Sequence, residues 1–507
     1  MEYNIEKKCI GISQIIKEEL QEQPLEAEWN LPDYCSDIER ILKCRGEARI
    51  SSRRVTGRTA YVEGYTAITV IYADSEKRLC SYDQAIPFYR EISLDSDNVN
   101  HIEVEGVMDY LNVRATSPKR IEVKGAVGLK ISIISLLSAD VITNADGCGL
   151  ELDKRHRNLT STIGTFEKYM TVSDEVEIGE GAIPIRSIIS GKAVVCDTDV
   201  NPITNKTIVK GNVKVKILYC TKNGSATTME ATIPFNQIVD TEGVDELCKC
   251  SLKTQVTSLD LRARTGVDGE SRSVGITVGL LLTVRAEENV ECDVALNAYS
   301  TKYKTELVPC EQRMYCFKDN VRKRITVTEE VELSLPASQI FDVWCDRNNA
   351  FIQKDGVLSI NGSSVISILF EDKEGNPVYI EKDLAYNYKS EVIITPNAHC
   401  QNALSVQDVG YTLLSDTTAE IRMVIEIDAS VYEPLDSNIL SGIILDENSP
   451  KLRDKNRSPI IVYYPSSGET LFEIAARYNT SVAEVRMAND IEDDDTIGNV
   501  LLIPIQN

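Results

Sequence analysis

The sequence predicts a mainly β protein: three tandem β-rich, sandwich-like domains followed by a small strand-helix-helix-strand module. Three observations carry this expectation. A landmark glycine followed eight residues later by an aromatic residue recurs three times along the chain. The strings around each copy alternate apolar and polar residues and favour Val, Ile and Thr, as strands joined by hairpins do. Near the C-terminal end, two helix-start signatures lie between two short apolar runs.

The chain of 507 residues has length for about three or four domains. Its 42% hydrophobic and 26% charged residues are the composition of an ordinary soluble protein with several cores. A net charge of -24 argues against a nucleic-acid partner, because binding phosphates needs a basic stripe. It also disfavours an anionic membrane as a direct ligand. The first stretch, MEYNIEKKCIGISQIIKEELQEQ, is broken by charges every few residues and lacks the apolar core of a signal peptide. No run is long and apolar enough to span a bilayer, so neither secretion nor membrane insertion is expected and the placement expected is cytoplasmic.

The first copy of the repeat enters at Val62-Glu63-Gly64 and alternates to Tyr72. The second runs from Val209-Lys210-Gly211 to Tyr219, and the third from Ile360-Asn361-Gly362 to Phe370. A second landmark keeps the same register: Ile86-Pro87-Phe88, Ile233-Pro234-Phe235 and Leu384-Ala385-Tyr386. Upstream of each glycine stands an apolar pair at i and i+3: Ile38 with Ile41, Ile185 with Ile188, and Ile340 with Val343. Downstream, each copy has a two-strand segment, such as VRATSPKRIEVKGAVGLKISI in the first. A repeat of about 150 residues is too long for a solenoid unit and normal for a domain. The expected divisions are 1–155, 156–303 and 304–445. The glycines are expected to permit a bulge or a close strand approach, and the aromatics to cap the cores.

Residues 446–459, DENSPKLRDKNRSP, contain one aliphatic residue and two prolines, which predicts a semi-flexible linker holding the last module away from the body. The module, 460–507, opens with an apolar strand closed by Pro465. Thr470 and Glu473 form a capping box ahead of Leu471, Ile474, Ala475 and Tyr478, which recur at helical spacing. Ser481 and Glu484 repeat the device ahead of Val482, Val485 and Ala488, and Asn489 is placed as the left-handed stop. A Gly498-Asn499 turn then leads into a strand closed by Pro504.

Fourteen cysteines are scattered without zinc-ribbon spacing, so Cys248-x-Cys250 and His399-Cys400 read as core residues. Only three histidines occur, and no phosphate-cradling glycine loop, dinucleotide fingerprint or nucleophile elbow is present. No catalytic set, metal site or cofactor is predicted.

The ordered residues of the last module, Gly468-Glu469-Thr470-Leu471, Ile474-Ala475, Tyr478, Ser481-Val482, Val485, Asn489, Gly498 and Leu502-Ile503-Pro504, resemble the LysM module. That resemblance implies a shallow groove for N-acetylglucosamine-containing glycans between two loops. Carried over, its positions are Gly468, Glu469, Thr470 and Leu471 on one side and Asn489, Asp490 and Ile491 on the other. Departing from that pattern, Glu492, Asp493, Asp494 and Asp495 place an acidic run beside the second loop, read either as an ordinary solvated loop or, more sharply, as a contact with a protein partner. Leu471 and Ile491 are the expected apolar anchors. Three repeats with a Val-x-Gly strand entry and an Ile-Pro-Phe-like segment, followed by LysM, resemble the SPOCS-domain spore-coat morphogenesis proteins. The resemblance implies a non-enzymatic scaffold in the mother-cell cytosol. Such a scaffold binds a spore-coat morphogenetic ATPase, of the stage IV sporulation protein A kind, largely through LysM and localises coat around the forespore. The alternative is a protein that binds peptidoglycan or chitin-type glycan through LysM.

Overall fold

Each repeat folds as six strands in two three-stranded antiparallel sheets. The computed structural model describes residues 3–95, 98–179, 181–266, 269–354, 356–435, 438–451, 459–491 and 498–505. In the first unit the strands are β1 (Tyr3–Asn30), β2 (Arg40–Thr56), β3 (Thr59–Ala73), β4 (Leu79–Ser93), β5 (His101–Ser117) and β6 (Arg120–Gly147). One sheet has the order β1-β6-β5 and the other β2-β3-β4. The second unit repeats this plan with β7 (Leu150–Glu177), β8 (Ile185–Ile203), β9 (Lys206–Thr221), β10 (Ala226–Asp240), β11 (Lys249–Thr265) and β12 (Ser271–Ser300). Between the second and third units runs β13 (Tyr303–Pro309). The third unit comprises β14 (Tyr315–Glu332), β15 (Ala337–Lys354), β16 (Val357–Asp372), β17 (Pro377–Ile393), β18 (His399–Ser415) and β19 (Thr418–Pro434), again as β14-β19-β18 and β15-β16-β17. After it, β20 (Leu440–Pro450) returns to pair with β13.

Alternation explains the layering. In β3, Ala60, Val62, Ile68, Val70 and Tyr72 are buried at even spacing, and they meet Leu25 of β1, Ile102 of β5 and Ile121 to Ile133 of β6 in one core between the two sheets. Corresponding cores fill the second and third units, and the expected aromatics Tyr72, Tyr219 and Phe370 lie in them. The three downstream segments are the hairpins β5-β6, β11-β12 and β18-β19. Pro87 and Pro234 sit on the outer strands β4 and β10, where a missing N–H is tolerated.

The first strand of each unit went unread in the sequence, because charges interrupt it. The Tyr3–Asn30 stretch is a 28-residue strand paired along its length with β6. The division expected at 155 falls inside β7; the chain turns at Gly147, Cys148 and Gly149, all at positive φ. The division at 303 falls at the start of β13 and that at 445 inside β20.

The three units pack together. Strands β1, β6, β7 and β12 extend beyond their own sandwiches, and β13 and β20 supply the matching ribbon for the third unit. Ile10, Val141, Leu159, Val294 and Ile439 share one core among these extensions, and Ile142, Ala295, Leu440 and Ile443 share another. A further cluster joins the units at their second sheets. Ile71, Leu218 and Leu369, each immediately before a landmark aromatic, meet there with Ile189, Phe341 and Trp344.

The first residues of the expected linker are strand. Asp446–Pro450 belong to β20, and Lys451 bonds to Lys302 O through its backbone at 2.9 Å and to Ser300 O through its ammonium at 2.6 Å. Strand pairing with β13 supplies the reason, since the prolines fall at or beyond the paired register. Residues 452–458 lie outside the described residues.

Candidate functional site

The terminal module is built from β21 (Ile460–Tyr463), α1 (Leu471–Tyr478), α2 (Val482–Asn489) and β22 (Leu501–Pro504), with the two strands antiparallel. Its core is Leu471, Ile474, Ala475, Val485, Leu501 and Ile503. Thr470 starts α1 from extended backbone: its hydroxyl accepts the Glu473 N–H at 3.2 Å, and the Glu473 carboxylate accepts the Thr470 N–H at 3.0 Å. Asn479, at φ 59°, ends that helix. The Ser481 hydroxyl accepts the Glu484 N–H at 3.2 Å, while the Glu484 carboxylate accepts the Thr480 hydroxyl at 2.9 Å. The left-handed stop of α2 is Asp490, at φ 51°, one residue beyond the Asn489 that the sequence indicated.

Asn489 has another task. Its side-chain amide donates to Val485 O and Leu502 O and accepts from Leu502 N–H, all at 2.7 Å, so it clamps the end of α2 to β22. On the other loop, the Glu469 carboxylate accepts the Ser466 N–H at 2.8 Å and the Tyr463 hydroxyl at 2.7 Å, and pairs with Arg477 at 2.7 Å. The Ser466 N–H and the Tyr463 hydroxyl hold its carboxyl below the usual range. Glu469 thus ties its loop to Tyr463 of β21 and Asn489 ties its own to Leu502 of β22, neighbouring but unpaired positions of one small sheet.

The seven sequence-selected residues therefore differ in what they present. Gly468 stands open at φ 86°, with nothing within 4 Å of where a Cβ would lie, and Thr470 and Asp490 are exposed. Ile491 is half-buried against the module core. Leu471, expected as a surface anchor, is 1% exposed and packs inside, because the first apolar position of the α1 stripe faces the core. Residues 492–495 lie outside the described residues. Apolar residues exposed on the sheet include Val462 and Leu502, registered partners 56% and 40% exposed, with Tyr464 beside them 70% exposed, and Met487 of α2 is 76% exposed.

The module is fixed to the body, contrary to the expected tether. Tyr299, at the end of β12, is buried; its hydroxyl donates to Thr480 O at 2.8 Å, and its ring meets Phe472 edge-on with centroids 5.0 Å apart. Asn479 donates to Thr301 O at 2.8 Å and accepts from Lys451 at 2.9 Å. Sequence reasoning passed over Tyr299 because nothing in NAYSTKYK distinguishes it from other strand tyrosines. Asn479 was detectable as a residue tolerant of the left-handed conformation after the α1 stripe.

Elsewhere, Cys248 packs with Val244 and Ala286, and its thiol donates to Asp245 at 3.2 Å. His399 lies between the rings of Tyr315 and Tyr432. Among the described residues no helix is long and apolar enough to cross a membrane.

A family model described as "SipL, SPOCS domain" matches residues 37–116 and 184–264, and the LysM domain model matches 466–504. The SPOCS matches cover the β2-to-β5 and β8-to-β11 portions of the first two units. The third unit lies outside them and has the same strand order. No curated protein and no solved structure matches the chain significantly. The first two units are thus similar to the SPOCS domain and the terminal module to the LysM domain, the two domain types of a SipL-like protein.

Proposed function

We propose that the chain is a non-enzymatic scaffold of bacterial spore-coat assembly, which binds a coat morphogenetic ATPase of the stage IV sporulation protein A kind through its LysM module. In this reading it works in the mother-cell cytosol, at the surface of the developing forespore. The observation that carries it is the division of labour within the module. The polar groove side chains Glu469 and Asn489 are engaged in internal bonds, whereas Val462, Tyr464 and Leu502 expose an apolar surface suited to a protein. Docking through Tyr299 gives that surface a set orientation on the body, which lowers the ordering cost of assembly. Domain composition supports a binding role as well, since SPOCS and LysM are non-catalytic families.

The second reading, glycan binding, is favoured by the open loop at Gly468 and by the LysM identity itself. A matched experiment separates the two. Full-length chain is titrated with the purified coat ATPase and with chitooligosaccharide, as wild type, as Val462→Ser with Leu502→Ser, and with residues 492–495 neutralised together. The scaffold reading expects ATPase binding that weakens at least tenfold in the double variant. It also expects association slowed by neutralisation and by salt, since exposed charges are screened over about 8–10 Å. Tight, salt-insensitive sugar binding with no ATPase binding would replace it by the glycan reading.

A further inference from the structure

Where the three units meet, a pocket of about 50 Å³ is lined by residues from all of them. Four cations, Arg45, Lys192, Lys214 and Lys216, face only two carboxylates there, Asp342 and Asp408, in a chain whose net charge is -24. Both carboxylates are already taken. Asp342 lies 2.6 Å from Lys216, and Lys214 lies 3.0 Å from Asp408 and 3.1 Å from Glu230 outside the pocket.

Arg45 and Lys192 are left over. Among the described residues neither has a carboxylate within ion-pair distance. The Lys192 ammonium donates to a neutral acceptor, Cys345 O, at 2.8 Å, and the Arg45 guanidinium lies over the Trp344 ring, 5.1 Å from its centroid. Other acidic groups in the neighbourhood lie beyond ion-pair distance of both cations, and Asp83 and Asp346 act on Arg45 only through space. Asp346 pairs with Lys43 at 2.8 Å, Glu47 with Arg49 at 2.7 Å, and Asp83 accepts the Thr69 hydroxyl at 2.5 Å.

Strand register deepens the imbalance. Lys192 of β8 is the direct cross-strand partner of Lys216 of β9, a like-charge pairing in which Asp342 neutralises Lys216 and leaves Lys192 without a carboxylate. Arg45 of β2 occupies the corresponding place opposite Thr69 of β3, three residues before the landmark aromatic Tyr72, as Lys216 is three before Tyr219. The two unpaired cations therefore come from equivalent positions of two units. Burial and the nearby Arg45 charge hold the Lys192 ammonium below the usual lysine range, the response of a cation awaiting a counter-charge.

We propose that this pocket is a binding site for a small oxyanion of phosphate size, held by Arg45 and Lys192. The guanidinium offers its fork of N–H donors, and the ammonium has two N–H groups beyond the one given to Cys345 O. A pocket of this volume admits one tetrahedral or planar oxyanion head, with Val343, Trp344 and Val409 as its apolar wall. Such an ion would neutralise the junction of all three units and so stabilise their packing. This inference is independent of what the LysM module binds.

The test uses full-length protein and inorganic phosphate, with acetate as a carboxylate probe and chloride at matched ionic strength as control. Phosphate is expected to raise the thermal midpoint above the chloride value. It should also change Trp344 emission in a Trp29→Phe background. Lys192→Met keeps the shape of the side chain and removes its charge. It is expected to melt no lower than wild type in chloride, to lose the phosphate-dependent rise, and to weaken phosphate binding at least tenfold. Arg45→Gln should do the same to binding. A larger response to acetate than to phosphate would assign a carboxylate as the ligand within the same oxyanion chemistry. Equal melting in phosphate, acetate and chloride would overturn the proposal, and so would phosphate binding that survives both substitutions.

Discussion

Gly362 and Tyr386 are registered partners across β16 and β17, and a Cβ added at residue 362 would lie 2.2 Å from the Tyr386 ring carbon Cζ. The two sequence landmarks of each repeat are thus one device. Gly211 faces Phe235 and Gly64 faces Phe88 in the same way, with the ring carbons 2.8 and 2.6 Å from such a Cβ. An aromatic covers a glycine on the neighbouring strand and closes the gap in the core face.

Gly362→Ala is therefore expected to force the Tyr386 ring aside and to lower stability by about 1–3 kcal/mol. Gly410→Ala, in β18 with open space around it, is the control and should be nearly neutral. Denaturant midpoints of the two variants in the full chain check the contrast; equal midpoints would contradict the ring-over-glycine packing.

Tyr299→Phe removes the hydroxyl that reaches Thr480 and keeps the ring on Phe472, so it should weaken docking of the module by about 1 kcal/mol. Tyr299→Ala loses both contacts and should cost more. Hydrogen exchange at the amides of Thr480 to Val485 measures the difference, and unchanged protection in Tyr299→Ala would show that the module does not depend on this contact.

Within the module, Thr470→Ala loses the cap at a cost of about 1 kcal/mol, whereas Ile474→Ala opens a cavity in a fully buried site at about 2–5 kcal/mol. Exchange protection of α1 should fall further in the second variant. The reverse ranking would remove Ile474 from the core.

His101 sets a pH dependence at the contact of the first two units. Burial, assisted by Arg53 and Lys253 and opposed by Glu103, pushes its imidazole from 6.5 down to about 4, with Glu167 3.2 Å from Nδ1. The folded state thus binds the proton less well than the unfolded chain. Stability is fully present above pH 6.5 and declines, by about 3 kcal/mol, as pH falls toward 4. His399, also lowered by burial, adds a loss of the same sign. His101→Gln should flatten part of the decline in thermal midpoint over that window; an unaltered slope would exclude His101 as its source.

Much of the architecture was legible locally. The copies, the hairpins β5-β6, β11-β12 and β18-β19, and the Thr470 box each rest on patterns within a few residues of each other, where period-two alternation and cap spacing act directly. Strand β1 escaped because its outer positions carry charges, and the Asp146-Gly147-Cys148-Gly149 turn signal marked the true change of strand near residue 148 without being used. In the candidate site, the residues of the two loops were readable but their tasks were not. Whether Leu471 points inward, or whether Asn489 bonds Leu502 instead of a ligand, depends on partners brought in by folding.

By itself, then, the sequence determined three β-rich units and a capped strand-helix-helix-strand module, because each is dictated by short-range periodicity. Only the tertiary structure decided that the units close on one another and that the module is docked. Ile71, Leu218 and Leu369 show in sequence as apolar residues next to the landmark aromatics, which signals burial on the second face of a strand but not against what. Their meeting, like that of Tyr299 with Thr480, joins positions far apart in the chain, and apolar or hydroxyl groups carry no sequence mark of the partner that will satisfy them.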